Sequence, residues 1–365
     1  MNEMPLEKEI RRRIAAAGPM PVGQFMSLCL AHPEHGYYTT RDPLGRTGDF
    51  ITAPEISQMF GELVGLWVAS VWQSMGSPEI FRLVELGPGR GTLMRDALRA
   101  AQVVTGFHAA ASVHLVEVSP VLIGRQRQTL TGLGGAIEWH RSFDEVPEGP
   151  LIAIANEFFD VLPVHQAIKL ENGWHERVIE INRAGNLSFA TANAAIPQFD
   201  RMLPARLRNA PVGACYEWRA NRVAFELGRR IAHEGGAALV IDYGHAQSGL
   251  GETLQAVGAH SYADPLALPG EIDLTAHVDF RALADAVESM GARAHGPIVQ
   301  GEFLHRLGIE ARAERLKSGA APETAHAIEA ALARLTGTGQ AEMGELFKVI
   351  AFADFALKSL PGFEP

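Results

Sequence analysis

The spacing of apolar residues changes along the chain, and each change predicts a different kind of element. Residues 5–31 carry apolar positions at helical intervals, giving two helices broken at "GPMPVG", the second with Val22, Phe25, Met26 and Cys29 on one side. "ISQMFGELVGLWVASVWQSM" predicts a longer amphipathic helix, with Thr52 and Glu55 as a T-x-x-E capping box at its start. From residue 80 short apolar runs take over: "FRLVEL" (81–86), "SVHLVEV" (112–118), "AIEWH" (136–140), "LIAIAN" (151–156) and "GAALVIDY" (236–243). Separated mostly by helical stretches, they predict a buried parallel sheet. Between the fourth and fifth runs the period drops to two, with turn signals at Asn172-Gly173 and Gly185-Asn186. That texture predicts an antiparallel hairpin or meander inserted into the βα scaffold. "DLTAHVDFRALADAVESMG" reads as a capped helix, and residues 292–299 as a strand. Two Ala-rich helices and a closing strand, "LFKVIAFA" (346–353), end the pattern.

The expected fold class is therefore α/β: a Rossmann-like doubly wound sheet with an N-terminal helical segment and an inserted antiparallel β region. The pattern sets boundaries at 1–79 for a helical and loop cap, 80–162 with 235–300 for the core, 163–234 for the β insertion and its helix, and 301–365 for the C-terminal helices and closing strand. Composition changes this picture little. A 365-residue chain with 47% hydrophobic and 20% charged residues is ordinary globular material. The charge balance does exclude something: 42 acidic against 32 basic residues disfavours nucleic acid as the main partner. Cys29 and Cys215 make neither a disulfide framework nor a zinc cluster, which suits a reducing compartment. No window approaches the ~18 apolar residues of a membrane span. Glu3, Glu7 and Glu9 fit neither a secretory signal nor an acid-poor transit peptide, so a cytoplasmic protein is expected.

Candidate chemistry gathers after the strands. In a doubly wound sheet ligands sit beyond the carboxyl ends, near the reversal of strand order. "VELGPGRGTL" places Gly87, Gly89 and Gly91 after the first strand, Glu117 ends the second, Asn156 the fourth, and Asp242 the fifth. The dinucleotide pattern G-x-G-x-x-G/A wants a small residue at 92, where Thr92 stands. Glu85, two positions before the first glycine, opposes a pyrophosphate and suits a ligand carrying an ammonium and a sulfonium. Glu117 is placed to accept both hydroxyls of a ribose, a role common to nicotinamide and S-adenosylmethionine enzymes. Ser142 and Phe143, after the third strand, are placed to frame an adenine, with ordinary core as the other reading of Phe143. His32 and His35 lack an evident third ligand, so no metal site is expected, and solvation or loop bracing explains them.

Six stretches, "HPEHGYY", "GDFITAPEISQMFGELVG", "VELGPGRGTL", "NEFFDVLPVH", "VIDYGH" and "DLTAHVDF", occur here in the order in which the MidA family of class I methyltransferases carries them. The chain resembles that family over roughly residues 20–300, and it looks like a bacterial member. The resemblance implies an S-adenosylmethionine-dependent enzyme with protein arginine as acceptor. It also implies a link to respiratory complex I assembly, in the mitochondrial matrix for eukaryotic relatives, with a complex I core subunit as the protein substrate and a homodimer as a possible assembly. A guanidinium is a poor nucleophile, and a carboxylate can grip it in fork geometry and offset the charge it gains. Glu157 and Asp160 in "NEFFD", with Asp242, are the candidates for that work; Asp49, Tyr243 and His245 are candidates for the acceptor loop. Three other readings stay open: a nicotinamide-dependent oxidoreductase, a small-molecule methyltransferase, and a non-catalytic assembly chaperone that keeps the fold.

Overall fold

The computed structural model describes residues 4–42, 51–133, 135–258, 261–339 and 342–364. The chain divides into two compact units: Met1–Pro43 with Asp160–Ala220 and Gln247–Asp279, and Leu44–Phe159 with Asn221–Ala246 and Phe280–Pro365. This division differs from the sequence boundaries chiefly in grouping 247–279 with the inserted β region, and 51–79 with the central sheet.

The second unit is built on β1 (Phe81–Leu86), β2 (Ala111–Val116), β3 (Ile137–His140), β4 (Leu151–Asn156), β5 (Gly236–His245), β6 (Arg293–Val299) and β7 (Phe347–Ala353). They lie in the order β6-β7-β5-β4-β1-β2-β3. The first five are mutually parallel, and β7 runs antiparallel to both β5 and β6. The central strands were legible as apolar runs because a sheet covered on both faces needs no polar alternation; every residue of β4 is buried, whereas the edge strand β6, expected at 292–299, carries Arg293 and His295 and has no buried residue. The order reverses between β1 and β4, so their carboxyl ends form the topological switch point.

Packing fixes the helix that leaves this point. Helix Gln58–Ser74 lies against helix Thr92–Ala101, and a Cβ on Gly65 would sit 2.3 Å from the Ala97 carbonyl oxygen. Only glycine permits that approach, which draws the two backbones together and anchors the helix following the glycine loop. The expected capping box is absent. A short helix, Ala53–Ile56, breaks at Ser57, whose hydroxyl accepts from the Met59 N–H at 3.2 Å and caps Gln58–Ser74. Glu55 turns away instead and accepts from the Thr92 hydroxyl at 2.5 Å. Competition from that partner is what sequence spacing could not register.

In the first unit, strands His165–Leu170, Gly173–Ile181 and Leu187–Ala195 form the expected antiparallel meander, joined by Met20–Pro21 and by Cys215–Trp218. Ala167, Trp174, Phe199, Leu203 and Tyr216 fill its small core. A further antiparallel sheet pairs Gln255–Gly258 with Ser261–Ala263 and Asp273–Thr275. The stretch from Asp273 is thus a strand, and the helix expected there starts only at Phe280. Helices Gln300–Arg306, Ile309–Lys317 and Pro322–Thr336 stand where two were expected, because Gly308 and Gly319 divide the run.

Candidate functional site

The parallel register brings most of the predicted residues to one edge. Glu85 and Leu86 of β1 stand beside Leu115 and Val116 of β2 and beside Ile154 and Ala155 of β4. Asn156 of β4 pairs with Ile241, next to Asp242 of β5. Beyond β1 the chain turns through Gly87, Gly89 and Gly91 at φ of 64°, 52° and 80°. Gly87 is constrained twice: its φ is left-handed, and a Cβ there would stand 2.9 Å from Cδ2 of Phe158. Gly91 then caps the helix that starts at Thr92.

The electrostatics at this edge are unusual for a ligand-free fold. Glu85 is 2% exposed, and its Oε2 has no hydrogen-bond partner among the described residues. Burial pushes its carboxyl up to about 8, and the charge of Glu117 adds to the shift. Asn156 presents a second buried, unpartnered acceptor, Oδ1, while its Nδ2 donates to Glu157 at 3.2 Å. Two orphaned acceptors in low dielectric oppose a phosphate and fit a ligand that brings N–H donors and positive charge.

Glu117 is also raised by burial, but its scaffold holds the charged form in place. Oε1 accepts from the N–H groups of Val118 and Ser119, each at 2.8 Å, and Oε2 from Nε2 of Gln126 at 3.1 Å. The role read from the sequence needs both oxygens for a ribose, whereas Oε1 already receives two donors.

Glu157 leaves β4 with φ 49°, one of four non-glycine residues with positive φ among the described residues. Such backbone costs of order 1–3 kcal/mol and persists where the surroundings over-determine it. Here the Glu157 N–H donates to the Ile241 carbonyl at 2.9 Å, and its Oε1 receives the Ala53 N–H at 3.3 Å. Asp242 is fully buried, with Oδ2 receiving the Phe159 N–H and Oδ1 the Tyr243 N–H, both at 2.9 Å. That arrangement braces the 157–159 turn, and it recasts a candidate for guanidinium binding as a support. Tyr243 packs its ring 5.5 Å from Phe347, and His245 ends β5. Ser142 precedes the short turn Phe143–Glu145. Phe143 itself is buried with the Arg230 guanidinium 5.1 Å over its ring, so it belongs to the core and is not an open platform.

Asp160 belongs to the other unit. It is buried there, and its carbonyl receives Arg219, which also donates to the carbonyls of Leu162, Ala276 and His277 at 2.7–3.2 Å. Burial, with the charges of Asp273 and Asp160, pushes the Tyr38 phenol up, and Tyr38 donates to Asp273 at 2.8 Å. His32 braces its own loop, its Nδ1 accepting from the N–H groups of Glu34 and His35. Asp49 lies outside the described residues. Gln126, Trp139 and Phe158 went unnoticed in the sequence: Gln126 and Trp139 belong to no motif, Phe158 sits inside "NEFFD" without a role of its own there, and each matters only through what it touches.

The family model described as "Putative S-adenosyl-L-methionine-dependent methyltransferase" matches residues 63–298. The chain belongs to this family. Its relatives include the mitochondrial protein arginine methyltransferase NDUFAF7 homolog of Drosophila melanogaster, 40% identical over 95% of this chain and 84% of that one. Human mitochondrial protein arginine methyltransferase NDUFAF7 is 40% identical over 84% of this chain and 74% of its own. A crystal structure from Burkholderia thailandensis bound to S-adenosyl-homocysteine superposes with a TM-score of 0.84 at 31% identity, covering 98% of this chain and 94% of that one. The family resemblance read from six motifs is borne out, as is the class I methyltransferase fold. The enzyme is a methyltransferase whose cofactor is S-adenosylmethionine, which removes the nicotinamide reading. Among the described residues no helix is long and apolar enough to cross a membrane.

Proposed function

We propose that this chain is a protein arginine N-methyltransferase whose client is a core subunit of respiratory complex I or its bacterial counterpart. The observation that carries the reading is Glu157: a carboxylate held in left-handed backbone at the switch point, beside the glycine loop, in a chain whose relatives are named arginine methyltransferases. Glu85, Asn156 and the Gly87–Gly91 turn hold the cationic end of the cofactor, Glu117 its ribose, and Ser142 the adenine side. When bound, the cofactor supplies an electrophilic methyl on a sulfonium. The chain's own work is to place and polarise the acceptor. Glu157 grips the guanidinium, aims one nitrogen, and offsets the positive charge that the acceptor gains. Tyr243 and His245 border the acceptor, with Asp49 assigned to the same task. Asp242 acts through the turn that it braces. We place the protein in the cytoplasm, where a reducing compartment suits the free thiols of Cys29 and Cys215. A homodimer is one candidate assembly, for sedimentation to test.

The test is methyl transfer from isotopically labelled S-adenosylmethionine to the purified client and to its arginine-to-lysine variant. Label on the first and not on the second supports the reading; label on neither, with a small-molecule acceptor consumed instead, overturns it.

A further inference from the structure

Strands β2 and β3 run parallel, with His114 paired to Glu138 and Val116 to His140. Paired residues share a face and alternate residues return to it, so Ser112, His114, Glu138 and His140 stand on one side of the sheet. Val113, Leu115, Ile137 and Trp139 take the other side and pack into the core. β3 ends the strand order, so this group lies at the sheet edge. The two histidines are 26 positions apart in the chain, and strand pairing is what brings them together.

Nδ1 of His114 stands 2.9 Å from Nε2 of His140, and one ligand atom from each of His114, Glu138 and His140 lies within 4.8 Å of the others. His114 is buried, whereas Glu138 is exposed, so its carboxylate can turn inward by a change of rotamer. Around a tetrahedral zinc ion with bonds of about 2.0–2.2 Å, ligand atoms lie roughly 3.3–3.6 Å apart. The ring nitrogens already approach that spacing. A ligating Nδ1 also needs its own proton on Nε2, and the Ser112 hydroxyl oxygen stands 3.0 Å from Nε2 of His114 to accept it. The charges of Arg82 and Arg230 reach His114, but each is committed elsewhere: Arg82 Nε donates to the Glu148 carbonyl, and Arg230 pairs with Glu234. A hard cation would find a single carboxylate here, whereas two imidazoles and a carboxylate suit a metal that bonds to nitrogen.

We propose that His114, Glu138 and His140 form a binding site for a divalent transition metal, zinc in the first instance, with water as the fourth ligand. The ion takes the place of the hydrogen bond between the two rings and ties the edge strand β3 to β2. None of the three residues is assigned to the cofactor or the acceptor, so the site stands apart from the methyl-transfer chemistry.

Calorimetric titration of the chelator-treated full chain with zinc chloride tests it, with the absorption spectrum of added cobalt(II) reporting the coordination. The wild type should bind one ion per chain, give a tetrahedral cobalt spectrum, and melt at a higher temperature with zinc than without. His140→Ala removes a ligand and should weaken zinc binding more than about a hundredfold, beyond the ~10–100-fold typical of losing an outer partner. Ser112→Ala removes such an outer partner and should cost about tenfold. Glu138→Gln changes an exposed side chain, so it keeps the test open should His140→Ala not fold, and it should also weaken zinc binding about tenfold or more. His305→Ala, at an exposed histidine elsewhere, should change nothing. Zinc affinity in Glu138→Gln or folded His140→Ala equal to that of the wild type, or no one-to-one binding at all, would overturn the proposal and leave the two rings as a hydrogen-bonded pair.

Discussion

Glu85→Gln separates the stability of the fold from its demand for a cation. The Glu85 carboxyl is raised from 4.5 to about 8 by burial, with the Glu117 charge adding to it. Between those values the folded protein holds a proton that the unfolded chain has released, so folding stability falls as pH rises. The slope is about 1.4 kcal/mol per pH unit, and the loss accumulated by neutral pH is about 3 kcal/mol. A cation placed beside Glu85 reverses the preference and should release about one proton on binding near neutral pH. Glutamine keeps the shape and removes the titration. Its buried amide shifts the stability by a constant amount and leaves the slope to the groups that remain, Glu117 included. Urea unfolding at about pH 5.5, 6.5 and 7.5 should therefore give a wild-type stability that falls more steeply than that of the variant, and the difference between the two slopes isolates Glu85. Titration of S-adenosyl-homocysteine in buffers of different ionisation enthalpy should show proton release in the wild type and little in Glu85→Gln, together with weaker binding. Parallel stability–pH lines and equal proton release would refute the reasoning.

Other substitutions test the remaining parts of the edge. Gly87→Ala must adopt φ 64° and meet Phe158 at 2.9 Å, so we expect a stability loss of about 2 kcal/mol by denaturation and weakened cofactor binding by calorimetry. Glu157→Gln should lower the transfer rate by about two to three powers of ten while leaving the S-adenosyl-homocysteine Kd nearly unchanged; a wild-type rate would move the guanidinium grip to another carboxylate. Asp242→Asn should lose about 1–3 kcal/mol in unfolding free energy, because one of its two backbone donors then faces an amide N–H₂, and a transfer defect without that loss would contradict the bracing role.

The core of the fold was legible because its physics is local. Six residues such as Leu151–Asn156 must be apolar to lie in a sheet covered on both faces, and the residues that follow them must share an edge. Glu85, Glu117, Asn156 and Glu157 followed from that rule alone. What stayed hidden depends on partners distant in the chain. Glu55 satisfies the spacing of a capping box yet bonds Thr92, 37 positions away. Asp273 follows a turn like a helix cap yet pairs as a strand with Val257. Phe143 looked like a platform until Arg230, from a helix far along the chain, covered its ring. Gln126 carries no motif, and only the convergence of Gly89, Glu117 and Trp139 upon it marks it out.

The central claim is arginine methylation, and its most direct measurement is quantitative mass spectrometry of methylarginine in cells with this chain, without it, and with Glu157→Gln restored in its place. Our account predicts one or a few arginine sites on a respiratory-chain subunit whose methylation disappears with the chain, returns with the wild type, and stays absent with the variant. An unchanged methylarginine profile across all three, in cells where the protein is present and binds S-adenosyl-homocysteine, would contradict it.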